Sequence, residues 1–274
     1  MMRLSTSPLG TPISGSDSVQ RALSFRVYRD PGVVKTYAAW PYLPIMEAMA
    51  LIKYQPAFVG GDVLDLGVGT GRTTLFLEPL ARRYEGLDFS PIMVDYMRRQ
   101  MPRVSVGLGD IRDLSAFEDA SFDFVFGSNN VISAVSHTDR LRTIAEVHRV
   151  LRGDGVFAFT SHNLGYRDAH AGPRLRLQRN PVTMARNVVS FGKSLVNDAR
   201  IRHHRFVGAA YELINDEGHE FGLLHYYVRR AVAEAQLQEA GFQLLDVIDP
   251  DGRFLAAAES DDHAPFLLYV ARKS

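Results

Sequence analysis

Val63-Leu64-Asp65-Leu66-Gly67-Val68-Gly69-Thr70-Gly71-Arg72-Thr73 decides the fold. An apolar run passes straight into three alternating glycines and then into a stretch of helical periodicity. Glycine lets the backbone turn tightly and lets a ligand come close to the main chain. A loop of this kind between strand and helix therefore serves a ligand more often than it serves as a bare turn. The spacing is G-x-G-x-G, whereas a nicotinamide fingerprint is G-x-G-x-x-G with a pyrophosphate over the helix N-terminus. Asp65 stands two residues before the first glycine. A carboxylate there is a poor neighbour for a pyrophosphate and a good one for a ligand with cationic ammonium and sulfonium groups.

Outward from this loop the chain alternates. Apolar runs at Val63–Leu66, Tyr84–Leu87, Val104–Leu108, Phe122–Phe126 and Val156–Thr160 read as strands. Helical periodicity fills Thr73–Arg83, Pro91–Met101 and Arg140–Leu151 between them. Strands and helices alternating at this length predict βαβ units, a parallel sheet and helices on both faces. Before the loop, Pro31–Tyr54 reads as helical with a break at Pro41 and Pro44. After His162 the regularity stops. A basic helical stretch, Met184–Ala199, precedes two strands, Arg205–Ile214 and Phe221–Val228, joined by Asn215-Asp216-Glu217-Gly218. The pattern resumes with a helix at Arg230–Ala240, a stop at Gly241, and strands at Phe242–Ile248 and Pro265–Ala271.

The D-x-G-x-G-x-G form of Asp65, Gly67, Gly69 and Gly71 resembles the first motif of the class I S-adenosylmethionine-dependent methyltransferases. Later stretches agree in order. Gly86-Leu87-Asp88-Phe89-Ser90 puts an acid at a strand end about twenty residues on, where it can bind both ribose hydroxyls; Ser90 is the better N-cap for the helix that follows. Gly107-Leu108-Gly109-Asp110-Ile111 implies Asp110 accepting from the adenine amino group and Ile111 packing on the ring. Phe122 to Asn130 resembles the fourth motif and brings Ser128 to the cofactor; Leu151-Arg152-Gly153-Asp154-Gly155-Val156 resembles the turn into the fifth strand. Val68 replaces a cysteine frequent in the family, at a packing position. Ser128-Asn129-Asn130-Val131 stands where methylators of nucleic-acid bases or glutamine carry an aspartate-proline-proline-tyrosine motif, which disfavours those acceptors.

The resemblance implies an α/β fold: a doubly wound Rossmann-like sheet of seven strands, the last antiparallel, with an N-terminal helical cap and an inserted α/β lid. The expected organisation is a mobile tail at 1–20, the cap at 21–60, the core at 61–162 and 228–274, and the insertion at 163–227. It also implies S-adenosylmethionine as cofactor, with Tyr37 in the cap folded over it.

Ligands in such sheets bind beyond the carboxyl ends of the strands, an edge that collects Asn129, Asn130, Ser161, His162 and Asn163. His162 is the candidate base, since imidazole titrates near neutrality; the bland alternative is a polar strand-end residue. Asn129 and Asn130 are candidates to orient the acceptor or to satisfy loop backbone groups. Tyr226 and Tyr227 face opposite ways on a strand, and either a pocket wall or core filling accounts for them. In the insertion Arg174, Arg176, Arg179, Arg186, Lys193, Arg200, Arg202 and Arg205 face only Asp198, which suits an anionic acceptor or a solvated helix face.

Composition narrows the classes. In 274 residues, 46% are apolar, enough for a substantial core. There is no cysteine, so disulfides, thiolate zinc sites and cysteine nucleophiles are excluded, and no metal is expected. Formal charge balances to +0, which disfavours nucleic acid as the main partner. No apolar run is long enough to span a membrane, and Met1–Ser18 lacks the apolar stretch of a secretory signal, so a cytoplasmic address and no membrane partner are expected. The reading is methyl transfer to an oxygen or nitrogen of a small molecule, with a homodimer allowed. Its alternatives are an RNA or peptide-terminus methyltransferase, a non-catalytic cofactor-binding module and, disfavoured by the glycine spacing, a nicotinamide oxidoreductase.

Overall fold

The structure is a computed structural model and describes residues 14–274, with side chains from Val19 onward. The chain begins with α1 (Ser14–Val27), α2 (Pro31–Ala38), α3 (Ile45–Lys53) and α4 (Gln55–Phe58). The first half of the sheet follows as β1 (Asp62–Leu66), α5 (Thr74–Leu77), β2 (Arg83–Asp88), α6 (Pro91–Gln100), β3 (Val106–Leu108), β4 (Phe122–Gly127), α7 (His137–Val150) and β5 (Leu151–Asn163). Then come α8 (Pro181–Ile201), β6 (Phe206–Val207), β7 (Tyr211–Ile214) and β8 (His225–Val228). The chain ends with α9 (Arg230–Glu239), β9 (Phe242–Ile248) and β10 (Phe266–Lys273).

β3, β2, β1, β4 and β5 lie side by side, their pairings parallel. β10 runs antiparallel to β5 and β9 antiparallel to β10. These seven strands carry the expected pattern; the sheet has ten because β8 pairs with β5 and brings β7 and β6 with it. The register shows where. β4 ends opposite Phe159, and β10 holds the other edge of β5 as far as His162. β8 pairs with His162 and Asn163, so it takes the edge that β4 leaves free beyond its own end. The β7–β8 hairpin therefore stands over the carboxyl ends of the central strands.

Side-chain alternation sorts the core into two layers. Leu64, Leu66, Val125, Phe157 and Phe159 join one apolar cluster. Val63, Phe124, Phe126 and Ala158 join the other. Both faces are covered, as a doubly wound sheet requires. Helix starts follow capping chemistry. Asp30 caps α2 by accepting from Gly32 N, and Ser136 caps α7 by accepting from Asp139 N. Ser136→Ala is expected to cost about 1 kcal/mol, a few degrees in Tm for a domain of this size, measured by thermal unfolding.

Four local expectations are corrected. The helix expected over Thr73–Arg83 stops at Leu77 and tightens into a 3-10 turn at Glu78–Leu80, where Pro79 removes a backbone donor. The strand expected at Arg205–Ile214 is two, β6 and β7, folded back on each other with Phe206 opposite Leu213. The tail at 1–20 is helical from Ser14, its first thirteen residues lying outside the described residues. Ser90 occupies the N-cap position of α6, but its hydroxyl makes no cap bond; it donates instead to Tyr28 O at 2.6 Å and ties α1 to the sheet.

Candidate functional site

The loop after β1 has all three glycines at positive φ: Gly67 at 68°, Gly69 at 55° and Gly71 at 87°. A Cβ on Gly67 would lie 2.5 Å from Val131, and one on Gly71 2.5 Å from Met97. These two serve the fold. Around Gly69 the nearest atom is Tyr37 Cδ1 at 3.7 Å, so the backbone there is open to a ligand. Gly69 N donates to Asp88 Oδ2 at 2.8 Å, and Ser90 N donates to Asp88 Oδ1 at 2.8 Å. Burial raises the Asp88 pKa while these two amides oppose the rise.

Gly67, Gly69 and Asp88 line a cavity of about 1270 Å³ together with Tyr37, Asp110, Ile111 and Ser128. Asn129, Asn130 and His162 line it too. The volume exceeds the usual 300–1,000 Å³ or so of a single-ligand pocket and leaves room for a cofactor beside an acceptor. Helix α1 covers one side: Gln20 donates to Leu224 O at 3.0 Å and Ser24 to Ala134 O at 3.1 Å.

Asp65, Gly71, Tyr226 and Tyr227 do not line this cavity. Asp65 lies beneath the loop, fully buried, where Thr73 Oγ1 and Tyr84 OH donate to Oδ2 at 2.5 and 2.8 Å. Its Oδ1 has no hydrogen-bond partner, and burial pushes its pKa up to about 7. Tyr226 is core: its hydroxyl meets His137 Nδ1 at 2.7 Å and Gln236 Nε2 at 3.0 Å. β8 is flanked by β5 and β7, which leaves Tyr226 and Tyr227 covered rather than walling the cavity.

What stands at the cavity in place of Asp65 is an ion pair. Arg72 donates to Glu47 at 2.7 and 3.2 Å and to Ser128 Oγ at 3.3 Å. Glu47 also accepts from Asn129 N at 3.4 Å, so α3 is tied to the loops after both β1 and β4. Asn129 and Asn130 take left-handed φ of 50° and 58°, a region asparagine tolerates better than most residues. Asn130 N donates to Thr160 Oγ1 at 2.5 Å, and its buried Oδ1 has no partner. Asn129 Nδ2 donates to Tyr37 OH at 3.4 Å. Asp110 is gripped by Arg112, whose Nε donates to Oδ1 at 2.7 Å. Burial pushes Asp110 up, but the guanidinium outweighs it and holds the carboxyl below its ordinary range.

At the hairpin end lies a polar cluster that sequence reasoning missed except for His162 and Tyr227. His225 Nδ1 is 2.9 Å from Asp216 Oδ2, and Tyr227 OH donates to the same oxygen at 2.7 Å. Gly218 N donates to Asp216 Oδ1 at 2.8 Å. His162 stacks on both His225 and Tyr227 at 4.7 Å, its Nδ1 3.9 Å from Asp216. Burial first, then the neighbouring His225, lowers the His162 pKa to about 3. Burial also works against protonation of His225, but the Asp216 charge and hydrogen bond outweigh it and raise its pKa. His219, pushed down to about 4 mainly by burial, stacks on Tyr37 and meets its hydroxyl at 3.5 Å. Among the described residues, His162, Asp216 and His225 form the one group whose donor atoms converge closely enough to hold a metal ion. A signal existed: His225 and Tyr227 share one face by strand alternation, and Glu47 is the sole carboxylate in the run Ile45–Ile52.

The residues fit S-adenosylmethionine. An open backbone at Gly69 stands beside a buried acid at the end of β2, and an asparagine oxygen without a partner is buried in the loop after β4. Asp88→Ala is expected to weaken cofactor binding at least about tenfold, since each hydrogen bond to a charged group contributes roughly 1.5–3 kcal/mol. Calorimetry with S-adenosylhomocysteine reads it, and a collapse of Tm without an affinity change marks Asp88 as structural instead.

A family model described as a methyltransferase domain matches residues 63–155. A probable S-adenosylmethionine-dependent methyltransferase of Mycolicibacterium smegmatis is 29% identical over 185 residues, 66% of this chain and 68% of that protein. The ubiquinone/menaquinone biosynthesis C-methyltransferase UbiE of Citrifermentans bemidjiense is 34% identical over 107 residues, 35% of this chain and 43% of its own length. Among solved structures, an S-adenosylmethionine-dependent methyltransferase from Mesorhizobium loti superposes with a TM-score of 0.57 at 22% identity, covering 83% of this chain and 98% of that one. The Burkholderia thailandensis 1,6-didemethyltoxoflavin-N1-methyltransferase, bound to its substrate and S-adenosylhomocysteine, gives 0.56 at 17%, covering 98% and 93%. The solved structures share the fold, and the glycine loop, Asp88 and the sequence relatives agree with the matched domain: over residues 63–155 the chain carries a methyltransferase domain of the S-adenosylmethionine-dependent type.

Proposed function

We propose that the chain transfers a methyl group to an oxygen or nitrogen of a small-molecule acceptor, with His225 taking the acceptor's proton. The observation that carries this reading is the His225–Asp216 pair, 2.9 Å apart, of which His225 lines the same cavity as Gly69 and Asp88 while Asp216 stands behind it. Bound S-adenosylmethionine supplies a methyl carbon activated by a sulfonium; as that carbon bonds to the acceptor, the carbon–sulfur pair stays on sulfur. The protein's work is to align the acceptor, exclude water and receive one proton. Asp216 holds His225 through Nδ1, so Nε2 is the nitrogen left to accept it. A carboxylate that orients an imidazole and stabilises its protonated form is a recurrent general-base arrangement.

This moves the base from His162 to His225. A histidine held near pKa 3 stays neutral over the working pH range and is too weak a base to compete. His162 instead stacks as a wall between His225 and Tyr227. Asn129 remains a positioning candidate through its bond to Tyr37. The structural neighbour crystallised with 1,6-didemethyltoxoflavin, an N1-methyltransferase by name, is in keeping with a small-molecule acceptor. The test is a panel of hydroxylated and aminated small molecules incubated with methyl-labelled cofactor. Label found on oxygen or nitrogen of one class supports the reading; label on carbon, or only on RNA or peptide, overturns it.

A further inference from the structure

Helix α8 is turned inside out. Its inward face is held by polar contacts: Asn197 donates to Glu220 O at 3.0 Å, and Asp198 accepts from Arg205 and Asn215 at 2.9 and 3.1 Å. Only Ser194 and Ile201 are buried along its 21 residues. Most of its apolar residues face solvent, Ile201 being buried and Met184 and Phe191 half-buried. Val182, Val189 and Val196 recur every seven residues, and Val188 and Leu195 run beside them, each between 48% and 60% exposed. Ala185, Gly192 and Ala199 fill the same stripe, also exposed. At 100° per residue these positions make one continuous apolar band about 140° wide. Arg186, Lys193 and Arg200, again seven apart and exposed, run along one border of the band. Lys193 alone has an acidic neighbour there, Glu220 at 3.6 Å.

The band does not stop at the helix. Asn187 Nδ2 donates to Arg176 O at 2.7 Å and fastens the preceding segment alongside α8. That segment adds Leu177, 77% exposed; its neighbours Arg174 and Arg176 are paired with Asp168 at 3.8 Å and Glu217 at 2.6 Å, so the band's cations are those of α8 itself. At the far end, Lys193 and Arg200 reach the rim of the large cavity, whose lining also includes the exposed Trp40.

We propose that α8 and the segment before it dock this protein on an anionic lipid surface, with the cavity mouth beside the bilayer. Charge decides against a second copy of the chain. Antiparallel pairing of two such bands would bring their basic borders together, and like charges so placed repel; parallel pairing would set each basic border beside the other edge of the band, Met184 and Phe191, which carry no acid to answer it. A partner helix of another protein would match the stripe and leave the exposed Leu177 beyond it uncovered. An apolar band bordered by lysine and arginine is the pattern of helices that lie in the headgroup plane, the cations meeting anionic lipid and the valines entering the acyl boundary. No helix among the described residues is long and apolar enough to cross a membrane. A surface helix needs no such length, so the expectation of no membrane partner, drawn from the lack of a span, does not bear on it.

The inference is independent of the acceptor and is tested without turnover. The full chain is sedimented with phosphatidylcholine vesicles with and without phosphatidylglycerol. Binding is expected to be roughly a hundredfold tighter to the anionic vesicles, as three surface cations provide, and to fade with salt. Val189→Asp and Arg186→Glu should each weaken it while Tm and S-adenosylhomocysteine affinity stay as in the parent. Equal binding to both vesicles, no binding to either, or unaltered binding by Val189→Asp overturns the proposal. So does a chain that ignores vesicles and elutes as a dimer that Val189→Asp converts to monomer, because the band is then a self-interface.

Discussion

His225→Gln lowers kcat by about 10²–10⁴-fold with cofactor affinity unchanged, the range that loss of a positioned general base covers. Asp216→Asn weakens the same step and also moves its pH dependence. His225 can accept a proton only when neutral. Its pKa is raised by the Asp216 carboxylate against the pull of burial, so activity falls as pH drops through a value above the ordinary 6.5 or so of histidine. Removing the charge of Asp216 lowers that pKa, and the acidic limb of the profile shifts to lower pH. His162→Gln leaves the limb where it is, because His162 does not protonate in this range. Histidine titration by NMR checks the premise before any acceptor is known: one ring should titrate high and another stay neutral down to about pH 5. If His225 titrates below 6.5 in the parent protein and Asp216→Asn leaves it there, the dyad is structural and the base lies elsewhere.

The sheet was legible because its signals are local. Strand runs such as Phe122–Phe126 and Phe242–Ile248 match β4 and β9 within a residue: β4, buried between parallel neighbours, is apolar but for Asp123, and Gly241, at φ 86°, ends the preceding helix and marks where β9 begins. The junction of the glycine loop with the end of β2 was legible too: Gly69 and Asp88 are nineteen residues apart yet joined by a hydrogen bond of 2.8 Å. Asp65 misled. Its charge pointed to the ligand, but on β1 it pairs in register with Gly86 and Phe126 and is enclosed by the sheet. The role of an acid near the cavity falls to Glu47, on a helix that sequence alone does not fasten to the loop. The hairpin was hardest. Asp216 and His225 are nine residues apart, and between them His219, Glu220 and Phe221 take left-handed φ of 50°, 55° and 63°, a turn that no sequence pattern announces for these residue types. Only the pairing of β8 with the end of β5 brings His225 to His162.

Gly69→Val abolishes binding of S-adenosylhomocysteine, by at least about a hundredfold or 2.8 kcal/mol, while the protein remains folded. The three glycines of the loop predict two different outcomes. At Gly67 and Gly71 a side chain would collide inside the fold, 2.5 Å from Val131 and from Met97. Valine at either position should cost stability first, and lost binding there would say nothing about the ligand. At Gly69 the neighbouring atom is 3.7 Å away and the added methyl groups enter the cavity itself. The fold pays only the strain of a β-branched residue at φ 55°, about 1–2 kcal/mol, and Gly69→Ala separates that strain from the bulk. Alanine should lower Tm nearly as much as valine yet retain more of the affinity, since its single Cβ intrudes less. Calorimetry and thermal unfolding on the four variants read both quantities. A folded Gly69→Val protein that binds S-adenosylhomocysteine like the parent would show that the ligand does not approach this backbone, and the cofactor cradle would have to be sought elsewhere in the cavity.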